Sequence, residues 1–445
     1  MFSAFLSCVV CKATHGILRL LNKGGTALPG VLALKICPDI LRRLAEKLNV
    51  IAVCGTNGKT TSAAMLTRAL ENAGKKVFSN RSGANLIGGI TTEFILNANV
   101  FGKPSCDWAV IECDEAASVK VLPAIKPRAA IITNLFRDQE DRYGDAEAVR
   151  DMLSRAFKAT PDTVVCINAD CPLTVSVAER IENKTVFFGM DKGKNAAPDK
   201  TERLDCPMCG GRLRYSYVTY ANLGGFYCPK CGFKRKTADV AISDMTGESS
   251  AVLRINGKRT VCESALPEIY NMYNAAGVIA AVTACGFDAE CAISAAGSFE
   301  RGFGRMERFP LGKRGAQMLL IKNTAAVNQT MDYIKRDREG KLLVFAMNKR
   351  AADGRDESWL FDADFEKLRR VKNIEKIIVS GELSEKLRER LFSAGLDCEH
   401  ETDYDRLIEK LKSAEGKIYI LPSYTAMLEL RQRLVKTIGG KSFWE

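Results

Sequence analysis

A short loop near residue 55 combines glycine, lysine and threonine at a spacing that suits phosphate groups. The segment Val53–Thr61 reads VCGTNGKTT. Gly55 and Gly58 allow backbone N–H groups to converge on phosphate oxygens, Lys59 supplies a mobile cation, and Thr60 offers a hydroxyl to Mg²⁺. Two residues separate the glycines, where the common P-loop pattern has four. The loop predicts a nucleotide-binding enzyme.

The elements on either side of this loop must present it to the nucleotide. Val50–Val53 is a short apolar run that predicts a buried strand entering the loop. Thr61–Ala73 has the pattern of a helix leaving it. Strand, loop and helix in this order are the context that a phosphate-binding loop requires.

Four cysteines later in the chain form a second chemical motif. Cys206-Pro-Met-Cys209 and Cys228-Pro-Lys-Cys231 are each followed by glycine. Each C-x-x-C pair can place two thiolates on one tight turn, and two such turns complete a tetrahedral site. The pattern predicts structural Zn²⁺, because four protein ligands leave no coordination position open for water.

Two alternatives to structural zinc remain for this cysteine segment. Iron in a rubredoxin-like site is the chemical alternative, and a nucleic-acid-binding ribbon is the functional one. The aromatic residues between the two pairs are expected to cover the core of the ribbon and not to stack on bases. They are Tyr215, Tyr217, Tyr220, Phe226 and Tyr227.

Strand and helix patterns alternate on both sides of the ribbon, which predicts an α/β protein with doubly wound sheets. The first half contains three predicted parallel strands: Trp108–Glu112, Ala129–Thr133 and Thr163–Ile167. The second half contains four: Met318–Lys322, Lys341–Phe345, Lys376–Ser380 and Lys417–Leu421. The predicted domains are a docking segment (1–45), a central domain (46–304) with the ribbon inserted at 202–236, and a C-terminal α/β domain (305–445). The glycine-rich segment Gly297–Gly304 is the predicted hinge.

Composition favours a globular protein with an anionic partner. The 445 residues are 46% hydrophobic, and 65 Lys and Arg against 53 Asp and Glu give a net charge of +12. Sixteen cysteines without a secretory leader indicate a reducing cytoplasm. Met1–Leu21 is apolar but too interrupted to span a bilayer, so it is predicted to be a docking helix. Cys8 and Cys11 within it have no nearby second pair and remain unassigned.

Several motifs together resemble the Mur ligases, and within them the MurT subunits of lipid II isoglutaminyl synthase. The loop Gly55–Thr61 is similar to the Mur ATP loop. The four-cysteine ribbon and four further segments resemble MurT in particular: Asn134-Leu-Phe-Arg-Asp-Gln139, Tyr270-Asn-Met-Tyr-Asn274, Ala352-Asp-Gly-Arg-Asp356 and Phe443-Trp-Glu445. The resemblance covers almost the whole chain. It implies a Mur-type central domain and a Rossmann-like C-terminal domain.

The resemblance also implies an activity, ATP-dependent amidation. ATP would phosphorylate the α-carboxylate of D-glutamate in the peptidoglycan stem of lipid II, and ammonia would displace phosphate to leave D-isoglutamine. Lys59 and Glu115 are the implied catalytic residues, and Glu115 and Thr60 the implied Mg²⁺ ligands. Asn271 is implied to contact adenine, and Arg305 to approach the phosphates. The implied ATP-binding residues in the loop are Gly55, Thr56, Asn57, Gly58, Lys59, Thr60 and Thr61.

The chain departs from the amino-acid-adding Mur ligases at three positions. Gln139 stands where these enzymes usually have a metal-binding histidine. Asn323 and Ala325 stand where many of them have an aspartate and a lysine. The departures predict loss of amino-acid binding, as expected of a ligase that accepts ammonia from elsewhere.

The ammonia source is predicted to be a separate glutaminase subunit. A glutaminase needs a cysteine nucleophile activated by a base, and the chain has only His15 and His400. Cys398 and His400 are alternate residues with no nucleophile turn around them, so they predict no triad. The resemblance names the partner as GatD, and it implies that Asp356, or alternatively Asp353, completes the partner's Cys-His dyad in trans.

Two other function classes remain open from the sequence. One is a self-sufficient amide ligase of the Mur or folylpolyglutamate type, and the other is a nucleic-acid-binding ATPase that uses the ribbon and the positive charge. The short segment before the loop favours a lipid-linked substrate over a UDP-linked one, with lipid II and an earlier precursor both possible. The expected location is the cytoplasm, and the protein could also contact the inner face of the cell membrane peripherally.

Overall fold

The structure is a computed structural model that describes residues 2–21, 27–80, 84–136, 146–191, 204–266, 268–298, 305–350, 353–354 and 357–438. The chain divides into two compact units. The first contains residues 1–136 and 145–299, and the second contains residues 137–144 and 300–445. Each unit has its own central sheet.

The sheet of the first unit has nine strands in the order β11-β10-β9-β6-β5-β4-β1-β3-β2. The strands are β1 Asn49–Cys54, β2 Val77–Ser79, β3 Trp108–Glu112, β4 Ala129–Ile132, β5 Val164–Asn168, β6 Thr185–Met190, β9 Val240–Met245, β10 Ser250–Ile255 and β11 Lys258–Glu263. All neighbouring strands from β2 to β9 in this order are parallel, whereas the pairs β9–β10 and β10–β11 are antiparallel. The central strands are continuous apolar runs because helices cover both faces of a parallel sheet.

Ten helices accompany this sheet among the residues described. They are α1 Phe2–Leu20, α2 Ala27–Ile36, α3 Ile40–Ala45, α4 Lys59–Asn72, α5 Ile87–Leu96, α6 Glu115–Ile125, α7 Ala146–Lys158, α8 Pro172–Ala178, α9 Ile269–Ala284 and α10 Ala289–Gly297. Helix α9 packs against both α4 and the central strands. It is buried along most of its length, and Asn274 in its second turn lies against Gly58 in the loop that precedes α4.

The ribbon is a hairpin of β7 Arg214–Tyr220 and β8 Leu223–Tyr227, paired antiparallel between the two cysteine pairs. Phe226 and Phe233 lie in its small core, with Leu213 and Cys206. Tyr215 packs against this core, so the predicted covering role holds for Tyr215 and Phe226. The prediction is wrong for the other three aromatic residues: the Tyr217 hydroxyl donates to the Met190 carbonyl, Tyr220 packs on Tyr273, and Tyr227 is exposed.

The second unit contains a six-stranded sheet in the order β12-β13-β17-β14-β15-β16. The strands are β12 Arg305–Phe309, β13 Ala316–Leu319, β14 Lys341–Ala346, β15 Ile374–Ser380, β16 Glu399–His400 and β17 Lys417–Pro422. Only β12 pairs antiparallel. The helices are α11 Thr324–Arg336, α12 Trp359–Asp362, a 3₁₀ helix Phe365–Arg370, α13 Ser384–Ser393, α14 Tyr404–Lys412 and α15 Tyr424–Ile438.

The predicted fold class is confirmed, with small shifts at the ends of elements. The predicted strand at Met318–Lys322 is observed at Ala316–Leu319, because Asn323 already caps the helix that follows. Helix α4 begins at Lys59, two residues before the predicted start. The predicted hinge Gly297–Gly304 lies mostly outside the described residues.

No helix in the described parts of the chain combines the length and the apolar character needed to cross a lipid bilayer.

Candidate active site

The loop between β1 and α4 adopts a conformation that requires both of its glycines. Gly55 has φ of +117° and Gly58 has φ of +87°, which L side chains rarely adopt. A Cβ atom at Gly55 would lie 2.3 Å from Thr133 Oγ1, and one at Gly58 would lie 2.3 Å from Asn274 Oδ1. The close approach of these neighbours explains the glycine spacing in this loop.

The segment after β4 holds the loop through reciprocal hydrogen bonds. Asn134 accepts from the backbone N–H of Asn57 at 3.0 Å and donates to the carbonyl of Asn57 at 3.0 Å. Thr56 N–H donates to the carbonyl of Asn134 at 2.8 Å. The Thr56 hydroxyl also accepts from Phe136 N–H at 3.0 Å. Asn134 and Phe136 belong to one of the motifs that carried the resemblance, and this contact gives that motif a physical role.

Lys59 is folded into the loop and paired with Glu115. Its ammonium lies 2.8 Å from Glu115 Oε1, and both residues are more than nine-tenths buried. Burial opposes the positive charge, but the carboxylates of Glu115 and Glu112 outweigh it and raise the pKa of Lys59. Burial raises the pKa of Glu115, against the opposing effect of Lys59. The two residues form a buried ion pair, and a bound phosphate group could share the ammonium of Lys59.

Thr60 contacts a different carboxylate from the one that the sequence analysis selected. Its hydroxyl donates to Glu112 Oε2 at 2.8 Å. Strand β3 ends at Glu112, as predicted, and Glu115 is the first residue of α6. Asp114 between them caps α6 by accepting from the N–H groups of Ala116 and Ala117.

Glu112 is therefore a site residue that the sequence analysis missed. Its backbone is fixed by Asn80, which accepts from Glu112 N–H at 2.8 Å and donates to its carbonyl at 2.7 Å. The available signal was its position at the carboxyl end of β3, because β3 pairs directly with β1 and Glu112 lies opposite Val53. Functional residues of parallel sheets collect at this end of the strands.

The first turn of α9 brings two asparagines to the loop. Asn271 is buried in this turn, and Asn274 Nδ2 donates to Asn271 Oδ1 at 3.4 Å. Asn274 lies against Gly58, so it is a second site residue that the sequence analysis did not select. The i, i+3 spacing of two asparagines on one helix face was the signal.

Tyr273, which lies between these two asparagines in the motif Tyr270–Asn274, belongs to a buried polar network around Asp170. Tyr273 donates its hydroxyl proton to Asp170, and Met190 N–H donates to the same carboxylate at 2.7 Å. Arg235 Nε lies 2.5 Å from Asp170 Oδ1, and Asp170 is fully buried. Burial raises the pKa of Asp170, although Arg235 and the hydrogen bonds act in the opposite direction. Because Arg235 follows the second cysteine pair, the network connects the ribbon to α9.

The four ribbon cysteines are arranged as a metal site. Their sulfur atoms lie within 4.8 Å of one another, with Cys206 and Cys231 3.6 Å apart and Cys209 and Cys228 also 3.6 Å apart. Four sulfurs at about 2.3 Å from one Zn²⁺ would be about 3.8 Å apart, so the cluster fits this ion. Desolvation opposes ionisation of Cys228, but the N–H groups of Cys231 and Lys230 outweigh it and lower the pKa of Cys228 to about 7.

The glycine after each cysteine pair has the predicted backbone conformation. Gly210 has φ of +66° and Gly232 has φ of +78°. Gly210 N–H donates to the carbonyl of Cys206, and Gly232 N–H donates to that of Cys228. Each glycine thereby closes a turn around one sulfur pair. Among the described residues, Cys8 and Cys11 belong to no such cluster and are buried on the inner face of α1.

The remaining candidate residues lie in the second unit or outside the described residues. Arg305 begins β12, and its side chain is not among the described parts. Asp353 is bound to the start of α15, because its carboxylate accepts from Thr425 N–H at 2.7 Å and from the Thr425 hydroxyl. Gln139 and Asp356 lie outside the described residues. Asn323 caps α11 by accepting from Ala326 N–H at 2.9 Å.

Comparison with known proteins identifies the family. Residues 53–207 match the Mur ligase middle domain, and residues 320–427 match the MurT ligase C-terminal domain. The MurT subunit of lipid II isoglutaminyl synthase (glutamine-hydrolyzing) from Streptococcus pneumoniae is 35% identical, covering 95% of each chain. The corresponding Staphylococcus aureus subunit is 32% identical, covering 97% of this chain and 98% of its own.

Solved structures agree on the fold. A pseudomurein peptide ligase type C from Methanothermus fervidus superposes with a TM-score of 0.67 at 20% identity, covering 88% of this chain and 79% of its own. With two family models matched in the expected order and near-full-length relatives above 30% identity, the resemblance predicted from the motifs is confirmed. The chain is a ligase that belongs to the MurT family of the Mur ligases.

Proposed function

We propose that this chain is the ATP-dependent subunit of a glutamine-hydrolysing ligase that amidates D-glutamate in lipid II to D-isoglutamine. The near-full-length relatives are subunits of glutamine-hydrolysing lipid II isoglutaminyl synthases, which indicates the substrate and the nitrogen donor. The observation that carries the proposal is the arrangement of the buried Lys59, Glu112 and Glu115 with Thr60 at the phosphate-binding loop. That arrangement suits transfer of a phosphoryl group to a carboxylate.

The proposed reaction has two steps. A carboxylate oxygen of the D-glutamate residue attacks the γ-phosphorus of ATP, the bond to ADP breaks, and an acyl phosphate forms. The nitrogen lone pair of ammonia then attacks the acyl carbon, the bond to phosphate breaks, and one proton leaves the nitrogen to give the amide. Activation is necessary because a carboxylate has no acceptable leaving group of its own.

The residues of the chain have distinct tasks in the first step. Lys59 would leave Glu115 to neutralise charge that develops on the transferred phosphoryl group. The N–H groups of the loop would orient the phosphates without moving, since Asn134 and Thr133 already fix the backbone of Asn57. Asn271 and Asn274, at the start of α9, would contact the nucleotide on the other side of the loop.

Thr60 and Glu112 would hold Mg²⁺, with Glu115 as a further oxygen donor. Two carboxylates and a hydroxyl are hard oxygen ligands, which fit this ion. When bound, Mg²⁺ would offset negative charge on the phosphate oxygens. The ribbon cysteines would hold one structural Zn²⁺.

A separate glutaminase subunit is part of the proposal, because the described residues show no activated cysteine next to a histidine. His400 Nε2 lies 2.9 Å from Ser384 Oγ, and its other ring nitrogen lies 3.2 Å from Glu385. Burial raises the pKa of Cys398, and it raises that of Cys11 to about 12, which disfavours the thiolate. We propose a GatD-like subunit that contacts the C-terminal domain (305–445).

Reconstitution with such a glutaminase tests the proposal. Lipid II amidation should proceed with glutamine or with ammonium, and Lys59→Ala should lower both rates on the order of 10³-fold. Lys258→Ala, an exposed lysine on β11, is the matched control and should act as the parent does.

The alternative functions give different results in the same assay. ATP turnover that requires a free amino acid and ignores ammonium would support a self-sufficient ligase. Turnover stimulated by DNA or RNA would support a nucleic-acid-binding ATPase. The packing of Tyr215 and Phe226 inside the ribbon disfavours the latter class.

A further inference from the structure

Helix α1 exposes its large apolar side chains and buries its small ones. The exposed fraction is 77% for Phe2, 57% for Ile17 and 86% for Leu20. The buried residues of the helix are Ser7, Cys8 and Cys11. The exposed apolar set, which we call the α1 face, comprises Phe2, Phe5, Leu6, Val9, Ile17 and Leu20.

These side chains lie on one side of the helix, within about 120° of its circumference. The first four recur at spacings of three and four residues. Ile17 follows Val9 by eight residues, and the exposed small residues Ala13 and Gly16 lie on the same side between them. The opposite side of the helix packs on α2, where the Ser7 hydroxyl donates to the carbonyl of Ala33 at 2.6 Å. The inner side of α1 is therefore already packed, and the α1 face is exposed on the first unit. A large exposed apolar patch of this kind marks an interaction surface.

A neighbouring loop extends the α1 face. Phe101 is 78% exposed, and its ring centroid lies 5.6 Å from that of Phe5. The loop is held in place, because Asn99 Oδ1 accepts from the N–H groups of Phe101 and Lys103, each at 3.0 Å. Lys47 donates to the carbonyl of Gly102 at 2.8 Å. Phe101 is thus presented on an ordered turn.

Helix α1 and the segment that follows it carry charge of one sign. Residues 1–38 contain no Asp or Glu, and they contain the basic residues Lys12, Arg19, Lys23 and Lys35. Lys12 and Arg19 occupy one edge of the stripe, as their helical positions require. A partner must therefore offer apolar groups to the stripe and negatively charged groups to Lys12 and Arg19 at its edge. A second copy of this chain in a symmetric contact would bring the same positive charges together, which disfavours it.

We propose that the α1 face and Phe101 form a docking surface for an anionic lipid bilayer. The helix would lie along the membrane plane with its apolar stripe among the acyl chains and Lys12 and Arg19 at the headgroups. At 1.5 Å per residue, α1 would cover about 28 Å of membrane surface. The inference rests on the proposed function in one respect: a lipid-linked substrate places the reacting carboxylate next to that surface.

Vesicle flotation of the complex with its glutaminase subunit tests this proposal. The parent complex should bind vesicles of phosphatidylglycerol and phosphatidylcholine, and bind phosphatidylcholine alone more weakly. Phe101→Asp and Leu20→Glu should each weaken binding at least about tenfold, because a charge replaces an apolar side chain that would be buried among the acyl chains. Phe392→Asp is the matched control, since Phe392 is 74% exposed on the second unit and should leave binding unchanged.

An activity readout separates this proposal from the proposed function. With lipid II in vesicles, Phe101→Asp should raise the apparent KM and leave kcat near the parent value. With a tail-free substrate analogue, the variant and the parent should act equally. A parent complex that amidates neither substrate contradicts the proposed function, and flotation still decides the docking surface.

Three outcomes would overturn the docking proposal. One is a parent complex that binds no anionic vesicles. Another is equal vesicle binding by the parent, Phe101→Asp and Leu20→Glu. The third is a change in oligomeric state or loss of the glutaminase subunit in these variants without a change in vesicle binding, which would assign the α1 face to a protein partner.

Discussion

Two carboxylates three residues apart have separate roles around the phosphate-binding loop. Glu112 contacts Thr60, the residue that would share a metal ion with it, whereas Glu115 neutralises Lys59. Both side chains are buried, so neither contact is a solvent-screened surface pair. Removing each carboxylate should therefore have a different consequence.

Replacing Glu115 by glutamine should destabilise the nucleotide-free protein. The ammonium of Lys59 would stay buried without its charged partner, and loss of one member of a buried pair costs about 3–5 kcal/mol. Chemical denaturation should show this loss in the free energy of unfolding. Adding a nucleoside triphosphate without Mg²⁺ should recover part of it, because the phosphates supply the missing negative charge.

Glu112→Gln provides the comparison within the same site. It should weaken Mg²⁺ binding to the nucleotide complex about 10–100-fold and leave the nucleotide-free stability closer to that of the parent. Glu263→Gln, on exposed β11, is a control for general charge effects. Equal behaviour of Glu112→Gln and Glu115→Gln in both measurements would contradict the division of roles.

At the scale of elements, the ribbon is connected to the helix that borders the nucleotide loop. Arg235 of the ribbon and Tyr273 of α9 meet at Asp170, and Arg150 of α7 donates to the carbonyl of Pro207 at 2.8 Å. The side chains on α9 that face the loop are Asn271 and Asn274, on either side of Tyr273 in sequence. The ribbon thus supports the packing of α9.

Loss of the metal should loosen the structure of the ribbon before it affects the nucleotide loop. We expect about one zinc per chain, and Cys228→Ser should lower that content because a neutral hydroxyl replaces a thiolate ligand. Limited proteolysis should then cut within residues 204–236 earlier than in the parent. A metal-free ribbon that resists protease as well as the zinc form would disprove a structural metal, and iron in the purified protein would favour the alternative ion.

Removing Arg235 should lower the stability of the first unit more than loss of the ribbon metal does. Arg235→Ala would leave the fully buried Asp170 without its cation, so the first unit should lose about 3–5 kcal/mol of stability. Thermal or chemical denaturation would measure this loss of stability, with Arg259→Ala at an exposed position of β11 as the control. Normal stability of Arg235→Ala would mean that Asp170 is protonated and neutral in the folded protein.

The sequence predicted local elements well and long-range contacts poorly. Strands β3, β4 and β5 are apolar runs whose burial follows from composition, and the loop at Gly55–Thr61 has a spacing typical of phosphate binding. Asp170 and Arg235 are 65 residues apart and carry no shared motif, so their pairing depends on the folded chain. Glu112 was overlooked although the predicted strand ends at this residue, because its contact with Thr60, 52 residues earlier in the chain, depends on the pairing of β1 with β3.

At the scale of the whole molecule, the proposed reactions depend on different units of the chain. The nucleotide loop belongs to the first unit, and the Ala-Asp-Gly-Arg-Asp segment belongs to the second. Within that segment, Asp353 already binds the N–H and hydroxyl of Thr425 at the start of α15. Asp353→Asn should therefore act mainly on the packing of the second unit, which leaves Asp356 as the better candidate for the role in trans.

Asp356→Asn should uncouple glutamine hydrolysis from ligation. If Asp356 orients the catalytic histidine of the glutaminase, an amide would lose the charge that stabilises the imidazolium, and hydrolysis should fall roughly 10³–10⁴-fold. Amidation with free ammonium should stay at the parent rate, because Lys59 and its neighbours are unchanged. Both rates should be measured on the reconstituted pair, with Asp364→Asn as the control. Unchanged glutamine hydrolysis would contradict the role in trans, and parallel loss of both reactions would assign this segment to the ligase site.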